Sequence, residues 1–444
     1  MKKFTKILIC LLLCVVSLAF VACDKRTDKE KAFTYPSKED VVQGNGGMAV
    51  QKGNYLYYVN GFVGVEDEEN ERNANFTHGA LMLMKLDANG NIVTNEDNLL
   101  KDDYYITMSS RLSGFEATNL YISGDYLYFT AVCQEDEGGE SSGTWAKNRV
   151  DFLRIKLDKT SKVERVYVSQ TKYSEVDFDY YTYNDNTFIV VYENGTYINE
   201  DEGKEKTIVR VDCNAKKSTV VKENVSSAIT NRGGDNIFFV EQDSENSKYT
   251  LNKYNIFEHK VTPYHVWEES VTLELVGDNY AYVTYTNLGQ KVLAKVNENG
   301  PVIIKNYLAS EAKFAISEMG DTILVIEGNK ISVVGGISIE DEDATSITVV
   351  GLTNGSVVYY DDSKDLKIAS YTNGTIETIK ESLTFEDGYF DIAADDAYMY
   401  FYKTVGSHKY LHRIQVVNAF EETEEMVGTY IGEDAKSVKE STEE

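Results

Sequence analysis

The sequence predicts an all-β protein, a β-propeller of four-stranded antiparallel blades. Three observations support this. A short run of aromatic or β-branched residues recurs eight times, beginning at residues 55, 126, 188, 237, 280, 323, 357 and 398. A polar turn precedes each run, and a stretch with two-residue alternation follows it. The last five spacings between run starts lie between 34 and 49 residues, which is close to the length of one blade.

The turns explain why each run begins where it does. They are rich in Gly, Asn and Asp, which tolerate the positive φ of a tight hairpin turn. In chain order they read KGN, SGD, NDN, GGDN, GDN, MGD, TNGS and ADD. Each turn and run together therefore predict a strand, a turn and a second strand.

A further strand is predicted after each run, for example LMLMKLD from Leu81 and FLRIKLD from Phe152. Another turn and a fourth β-rich stretch usually follow, as in PVIIKNYL from Pro301. Eight repeats predict eight blades, with seven as the alternative because the repeat at Ile323 is short. Tandem β-sandwiches fit less well, since they would need about seven strands per domain and a break between domains.

The N-terminal 22 residues are predicted to be a lipoprotein signal peptide. Three lysines precede the apolar stretch 7–22, which is shorter than the roughly 20 apolar residues of a membrane-spanning helix. The sequence FVAC, ending at Cys23, resembles the lipobox of bacterial lipoproteins. This resemblance implies that Cys23 is lipidated and that the protein is anchored in the cell membrane on its extracytoplasmic face. Plain secretion with cleavage near Ala22 is the alternative.

The mature chain divides into three predicted parts. Residues 23–40 comprise the lipidated cysteine and a flexible tether, because this stretch is charged and has few aliphatic residues. Residues 41–432 form the propeller, and residues 433–444 form a disordered acidic tail.

The composition restricts the class of partner. The chain has 44 lysines and arginines against 72 aspartates and glutamates, with a formal net charge of −28. Nucleic acid is therefore excluded, since its phosphates need a basic surface. Cations, basic proteins and neutral glycans remain as candidates. Cys133 and Cys213 are expected to be two buried thiols, with a single bridge between them as the alternative.

Four acidic connections between the second and third strands of the first four repeats are the candidate partner-binding site. The first three contain Glu66, Asp67, Glu68, Glu69, Glu135, Asp136, Glu137, Glu200, Asp201 and Glu202, and the fourth contains Asp243 and Glu245. In a closed ring these connections would share one half of one face and attract a cationic protein or glycan partner. The alternative is that they are solvated loops that aid solubility.

No catalytic residue, metal site or cofactor is predicted. The loop DANGN from Asp87 has its glycine at the fourth position, whereas an EF-hand-type loop has it at the sixth. His408 and His412 lie on a predicted strand, which would separate them by about 13 Å. Neither a G-x-S-x-G motif nor a phosphate loop occurs.

The pattern of turn, aromatic run, gap and alternating strand resembles that of lipid-anchored, aromatic-rich β-propeller surface proteins of low-GC Gram-positive bacteria. This resemblance covers most of residues 41–432 and implies a propeller held at the cell surface. We therefore expect a binding or scaffold lipoprotein. The alternatives are a glycan-processing enzyme with its site in the central channel and a structural part of an envelope assembly or transporter complex.

Overall fold

The computed structural model consists of β-strands joined by turns and loops, and its described residues contain no helix. The described ranges are 35–63, 76–99, 104–109, 119–133, 149–158, 161–172, 176–194, 206–231, 234–243, 245–316, 322–353, 355–385, 391–393, 398–406, 408–416, 423–430 and 436–437. Their strands group into consecutive antiparallel units of four, which we number 1 to 8 along the chain.

The first half of the chain forms units 1 to 4. Strand β1 (Val42–Gln43) pairs with the first strand of unit 1, which consists of β2 (Ala49–Lys52), β3 (Tyr55–Val63), β4 (Phe76–Leu86) and β5 (Ile92–Asn98). Strand β6 (Tyr104–Ser109) pairs with β4, and unit 2 consists of β7 (Tyr121–Ser123), β8 (Tyr126–Cys133), β9 (Arg149–Lys156) and β10 (Glu164–Lys172). Unit 3 consists of β11 (Val176–Tyr183), β12 (Asn186–Asn194), β13 (Lys206–Asp212) and the first part of β14 (Lys217–Thr230). Unit 4 consists of the second part of β14, β15 (Asn236–Asp243), β16 (Lys248–Asn255) and β17 (Lys260–Trp267).

The second half forms units 5 to 8. Unit 5 consists of β18 (Val271–Val276), β19 (Ala281–Asn287), β20 (Gln290–Asn297) and β21 (Gly300–Lys305). Unit 6 consists of β22 (Lys313–Ile316), β23 (Ile323–Glu327), β24 (Lys330–Val333) and β25 (Ser338–Glu340). Unit 7 consists of β26 (Ile347–Thr353), β27 (Ser356–Asp361), β28 (Leu366–Ser370) and β29 (Ile376–Lys380). Unit 8 consists of β30 (Asp391–Ala393), β31 (Tyr398–Val405), β32 (His408–Gln415) and β33 (Glu425–Met426), and β34 (Lys436–Ser437) pairs in parallel with β6.

The units are arranged with their first strands innermost. First strands of neighbouring units contact one another, as in β2 with β7, β14 with β18, β18 with β22 and β26 with β30. Fourth strands carry exposed apolar side chains such as Val220, Val261 and Val302, as expected at a rim. Third strands of neighbouring units end side by side, as shown by the bonds from Arg154 to Cys213, from Arg210 to Ile256 and from Arg413 to Gly90. The second strands of these units, which run antiparallel to the third strands, therefore end together on the opposite side of the molecule. We call this side the upper face and the opposite side, where second strands begin, the lower face.

Apolar clusters hold neighbouring units together, because a small sheet cannot cover both of its own faces. Phe152 of unit 2 shares a cluster with Val209 of unit 3, and Phe238 of unit 4 shares one with Val283 of unit 5. Similar clusters join units 3 and 4, 5 and 6, 6 and 7, and 7 and 8. A further cluster combines unit 1 with side chains of both unit 2 and unit 8. The units therefore pack in a closed sequence.

The seam between unit 8 and unit 1 is also closed by polar groups. Strands β3 and β32 pair antiparallel, with Gly61 opposite Lys409. The buried Asn60 side chain accepts a bond from the amide of Leu411 at 2.8 Å and donates to the carbonyl of Val427 at 3.2 Å. The Tyr402 hydroxyl donates to the carbonyl of Val59 at 2.9 Å. Unit 1 and unit 8 are thus joined by direct pairing of β3 with β32, and β34, which follows unit 8, adds to the sheet of unit 1 through β6.

A basic residue of the third strand links neighbouring units at three positions. Arg154 of unit 2 donates to the carbonyl of Cys213 in unit 3, at 3.1 Å. Arg210 of unit 3 donates to the carbonyl of Ile256 in unit 4, at 3.2 Å. Arg413 of unit 8 donates to the carbonyl of Gly90 in unit 1, at 2.9 Å. The ring closes with the same type of bond that joins its internal units.

The predicted all-β propeller of four-stranded antiparallel units is confirmed. Each aromatic run overlaps the second strand of a unit and each alternating stretch overlaps the third strand, whereas the number of blades stays a prediction. The Cys213 thiol is free and buried, so it does not bridge to Cys133. Tyr35, within the predicted tether, packs against the core, and part of the predicted tail forms β34. Within the described ranges, the chain forms no helix with the length and hydrophobicity needed to cross a bilayer.

Candidate partner-binding face

The strands that flank the four acidic connections end and begin on the upper face. The connections leave the ends of β3, β8, β12 and β15 and return at the starts of β4, β9, β13 and β16. The predicted lipidation site Cys23 and the predicted partner-binding residues of the first three connections lie outside the described residues; the latter are Glu66, Asp67, Glu68, Glu69, Glu135, Asp136, Glu137, Glu200, Asp201 and Glu202. The described strands therefore fix where these connections begin and end.

The fourth acidic connection is a tight turn stabilised by its own carboxylate. Asp243 accepts bonds from the amides of Glu245 and Asn246, at 3.0 and 3.3 Å, and from the Asn246 side chain at 2.8 Å. The bond from the Asn246 side chain is the main cause that lowers the pKa of Asp243. Both acids are exposed, so this turn presents negative charge at neutral pH.

More exposed acids lie on the upper face between neighbouring units. Glu268 and Glu269 follow β17 in the connection to unit 5, and Glu311 lies in the connection from unit 5 to unit 6. Lys248 pairs with Glu268 at 3.1 Å, but both side chains are largely exposed, so the pair contributes little to stability. The described part of this face around units 4 and 5 therefore carries five exposed acids beside the partly exposed Lys248, Lys291 and Lys305.

Two aspartates of β11 extend the negative charge towards the centre of the molecule. Asp177 and Asp179 are two residues apart on a first strand, so their side chains lie on the same side of it. Asp179 accepts a bond from the Tyr192 hydroxyl at 3.1 Å, and Tyr192 also contacts the Thr230 hydroxyl. Asp179 is exposed by surface area, although the protein atoms packed around its carboxyl partly desolvate it and so raise its pKa.

The chemistry of Asp179 follows from opposing effects on its pKa. Burial is the largest cause and raises the pKa, while hydrogen bonds from Tyr192 and Thr230 lower it, and the charge of Asp177 raises it again. Unit 5 has a related pair, in which the buried Thr284 hydroxyl donates to Glu274 of β18 at 2.5 Å. Carboxylates backed by hydroxyl donors therefore line the first strands of units 3 and 5, an arrangement that can bind a cationic group.

The loop from Asp87, which was compared with an EF-hand-type calcium loop, is a turn in which the Asp87 carboxylate already accepts hydrogen bonds. Asp87 accepts bonds from the amides of Asn89 and Asn91, at 2.7 and 2.9 Å, and from the Asn91 side chain at 2.8 Å. The bond from the Asn91 side chain is the main cause that lowers the pKa of Asp87. No group of three potential metal ligands occurs among the described residues.

The two histidines of unit 8 lie on strand β32, as expected from the sequence. The Tyr410 hydroxyl contacts Nδ1 of His408 at 3.4 Å, and Nδ1 of His412 lies 3.2 Å from Glu424. Burial lowers the pKa of His412. The two histidines therefore have different partners along one strand.

Sequence reasoning missed Asp177 and Asp179. The stretch VDFDYYTY from Val176 contains the signal, because acids that alternate with aromatics in a strand place the acids on one side of it. Which side faces the axis depends on how the units close into a ring, and local sequence does not reveal this.

The sequence matches no known family profile, and no curated protein is similar to it. Several solved structures are similar in fold at low identity. Dipeptidyl peptidase 4 from Porphyromonas gingivalis is 11% identical with a TM-score of 0.49, over 93% of this chain and 62% of that one. The β-propeller domain of the Trilobed protease from Pyrococcus furiosus is 14% identical with a TM-score of 0.45, over 70% and 97%. TolB from Acinetobacter baumannii is 10% identical with a TM-score of 0.35, over 87% and 82%.

Proposed function

We propose that this chain is an exported, lipid-anchored binding protein whose upper face captures a cationic partner outside the cell. Cys23 carries the lipid, and residues 24–34 tether the propeller to the membrane. The acidic connections of units 1 to 4, together with the exposed acids of units 4 and 5, form the binding surface. We call these residues the acidic surface.

One observation supports this proposal above the others: the chain enters the propeller on the face opposite the strand ends that flank the acidic connections. The amide of Gly53, in the lower turn between β2 and β3, donates to the carbonyl of Val41 at 3.0 Å. A lipid at Cys23 would lie about 40 Å at most from Tyr35, given the reach of an extended chain. The acidic surface would then point away from the membrane, where a soluble or surface-bound partner has access.

A second candidate function is glycan hydrolysis at the axis. Asp179, with its raised pKa, lies two residues from Asp177, and two carboxyl groups in different environments are the usual requirement for this reaction. Release of reducing sugar by the purified protein, abolished by Asp179→Asn, would favour the enzyme over the binding protein.

The binding function is tested with soluble residues 24–444 and a fluorescent oligolysine of twenty residues. Neutralising Glu66, Asp67, Glu68 and Glu69 to their amides should weaken binding at low salt by about threefold or more, and raising the salt should reduce the difference.

The matched control neutralises four exposed acids of the lower face, namely Asp125, Asp185, Glu258 and Glu298. This variant has the same net charge as the test variant, so we expect oligolysine to bind it less than twofold more weakly than the unmodified protein. Equal loss of binding in the two variants would show that overall charge, and not the acidic surface, attracts the probe.

A further inference from the structure

Two side chains of unit 5 combine exposure with an unfavourable backbone conformation. Leu288 is 97% exposed and Tyr307 is 75% exposed, the two highest values among the large apolar side chains of the described residues. Both have a positive φ, 51° for Leu288 and 58° for Tyr307. The other described non-glycine residues with positive φ are all polar.

The turn that contains Leu288 favours other residue types at this position, so leucine is not explained by the stability of the fold. Leu288 and Gly289 connect β19 to β20, and both have positive φ, which defines a two-residue turn that favours Asn-Gly or Asp-Gly. A leucine here has a strained backbone and exposes its whole side chain to water. Such backbone outliers concentrate at functional sites.

Both residues lie on the same side of the same unit. Leu288 follows a second strand and Tyr307 follows a fourth strand, so each is on the upper face. The amide of Leu308, next to Tyr307, donates to the carbonyl of Lys291 at 3.1 Å, and the Lys291 ammonium donates to the carbonyl of Ser310 at 3.2 Å. The connection that carries Tyr307 is therefore held against the start of β20, close to the Leu288 turn.

The surroundings of this pair indicate the chemistry of the partner. Asp243, Glu245, Glu268, Glu269 and Glu311 are exposed on the same face of units 4 and 5. An anionic lipid surface or a second copy of this acidic chain would be repelled by them. A protein with an apolar side chain flanked by lysine or arginine would match both the apolar pair and the charges around it.

We infer that Leu288 and Tyr307 are an apolar anchor for a protein partner whose contact surface places basic residues around an aliphatic or aromatic side chain. This inference rests on the proposed binding function and adds the position and chemistry of the contact. The acidic surface steers the partner electrostatically, and the anchor provides the apolar contact after encounter.

The first test separates folding from binding. Leu288→Asn creates the Asn-Gly sequence that this turn favours, so we expect the melting temperature to rise by about 1–2 °C. If the melting temperature falls, leucine contributes to the fold, and the strain that supports this inference is absent.

The second test identifies the partner by photo-crosslinking of the full chain in cells that produce it. The probe is p-benzoylphenylalanine at position 288, and the control is the same residue at position 299, which is exposed on the lower face of unit 5. We expect an adduct from position 288 only, to a protein segment with net positive charge and an apolar residue, and a fivefold or greater loss of this adduct when Tyr307 is replaced by Ser. Equal adducts at the two positions, an adduct to lipid or to this chain itself, or no adduct would overturn the inference. If position 288 gives none while oligolysine binding still depends on Glu66 to Glu69, only the anchor is wrong and the acidic surface stands.

Discussion

At the scale of the residue, Asp179 carries a charge that its surroundings disfavour. Burial raises the pKa of this carboxyl above its ordinary value of 3.8. The folded protein therefore binds a proton more readily than the unfolded chain does. The ionised carboxyl reduces stability at pH values above the folded pKa, and this cost declines as the pH falls from the folded pKa to the unfolded value of 3.8. A residue kept at such a cost is a candidate for function.

Asp179→Asn should accordingly stabilise the protein at pH 7 and have little effect at pH 3.5, because the aspartic acid is then mostly protonated in both the folded and the unfolded state. Thermal unfolding at the two pH values measures the difference. Asp185→Asn, in the exposed turn between β11 and β12, is the control and should show little change at either pH. A lower melting temperature for Asp179→Asn at pH 7 would contradict this account of the carboxyl.

The proposed location of the whole chain depends on a different residue, Cys23. Cys23→Ala should release the protein from membranes into the soluble fraction, because a lipidated cysteine is the proposed anchor and alanine has no thiol on which a thioether can form. Incorporation of labelled fatty acid, followed by fractionation, measures both events. Serine substitution of Cys213, which is buried within the propeller, should leave the label in place. Label that persists on Cys23→Ala would refute the assignment.

At the scale of the element, the third strand of most units carries a basic residue opposite the aromatic run of the second strand. Arg154 pairs with Tyr128, Lys295 with Tyr282, and Arg413 with Tyr400. The buried Arg413 binds both Glu425 and the Gly90 carbonyl, so one side chain holds its own unit together and fastens it to the next. This explains why the two-residue alternation of the third strands places an arginine or lysine at a position that is otherwise buried.

Arg413→Met should weaken the seam between units 8 and 1. It leaves the Gly90 carbonyl without this donor, but Glu425 is about half exposed and can be solvated. We therefore expect a loss of about 2 kcal/mol, near the lower end for a broken buried pair. Lys253→Met is the control at the same strand position of unit 4, where the bond to Asn279 is exposed, and it should cost less than about 1 kcal/mol. Denaturant unfolding compares them, and equal losses would show that the seam has no special dependence on Arg413.

The second and third strands could be predicted from sequence because their signals are local. A turn such as Ser123-Gly124-Asp125 followed by Tyr126 marks a hairpin without reference to the rest of the chain. First and fourth strands are shorter or more polar, so their alternation is weak; β22 has four residues and β25 has three. The pairing of β3 with β32 joins residues almost 350 apart, and no local pattern predicts such a contact.

The candidate site was predicted only in part, for related reasons. Acidic connections stand out in composition, so the sequence shows them directly. Asp177 and Asp179 acquire their position near the axis from ring closure, which is a property of the whole chain. Leu288 could not be recognised from the sequence, because such a turn normally has asparagine before the glycine. The positive φ of Leu288 appears only in the structure.

At the scale of the whole molecule, the proposal depends on the two faces having different roles. The chain enters at the lower face, near Val41 and Gly53. The strand ends that flank the acidic connections, and the proposed apolar anchor, belong to the upper face. With a net charge of −28, the molecule repels other anionic surfaces, and this favours orientation with the acidic surface away from an anionic membrane.

The most direct test of this arrangement is an experimentally determined structure of residues 24–444. We predict eight radial four-stranded sheets around one axis, with the loops at Glu66, Glu135 and Glu200 all leaving the end of the disc opposite Val41. Separate globular modules, or acidic loops divided between the two ends, would contradict the proposal that one face of this propeller captures a cationic partner.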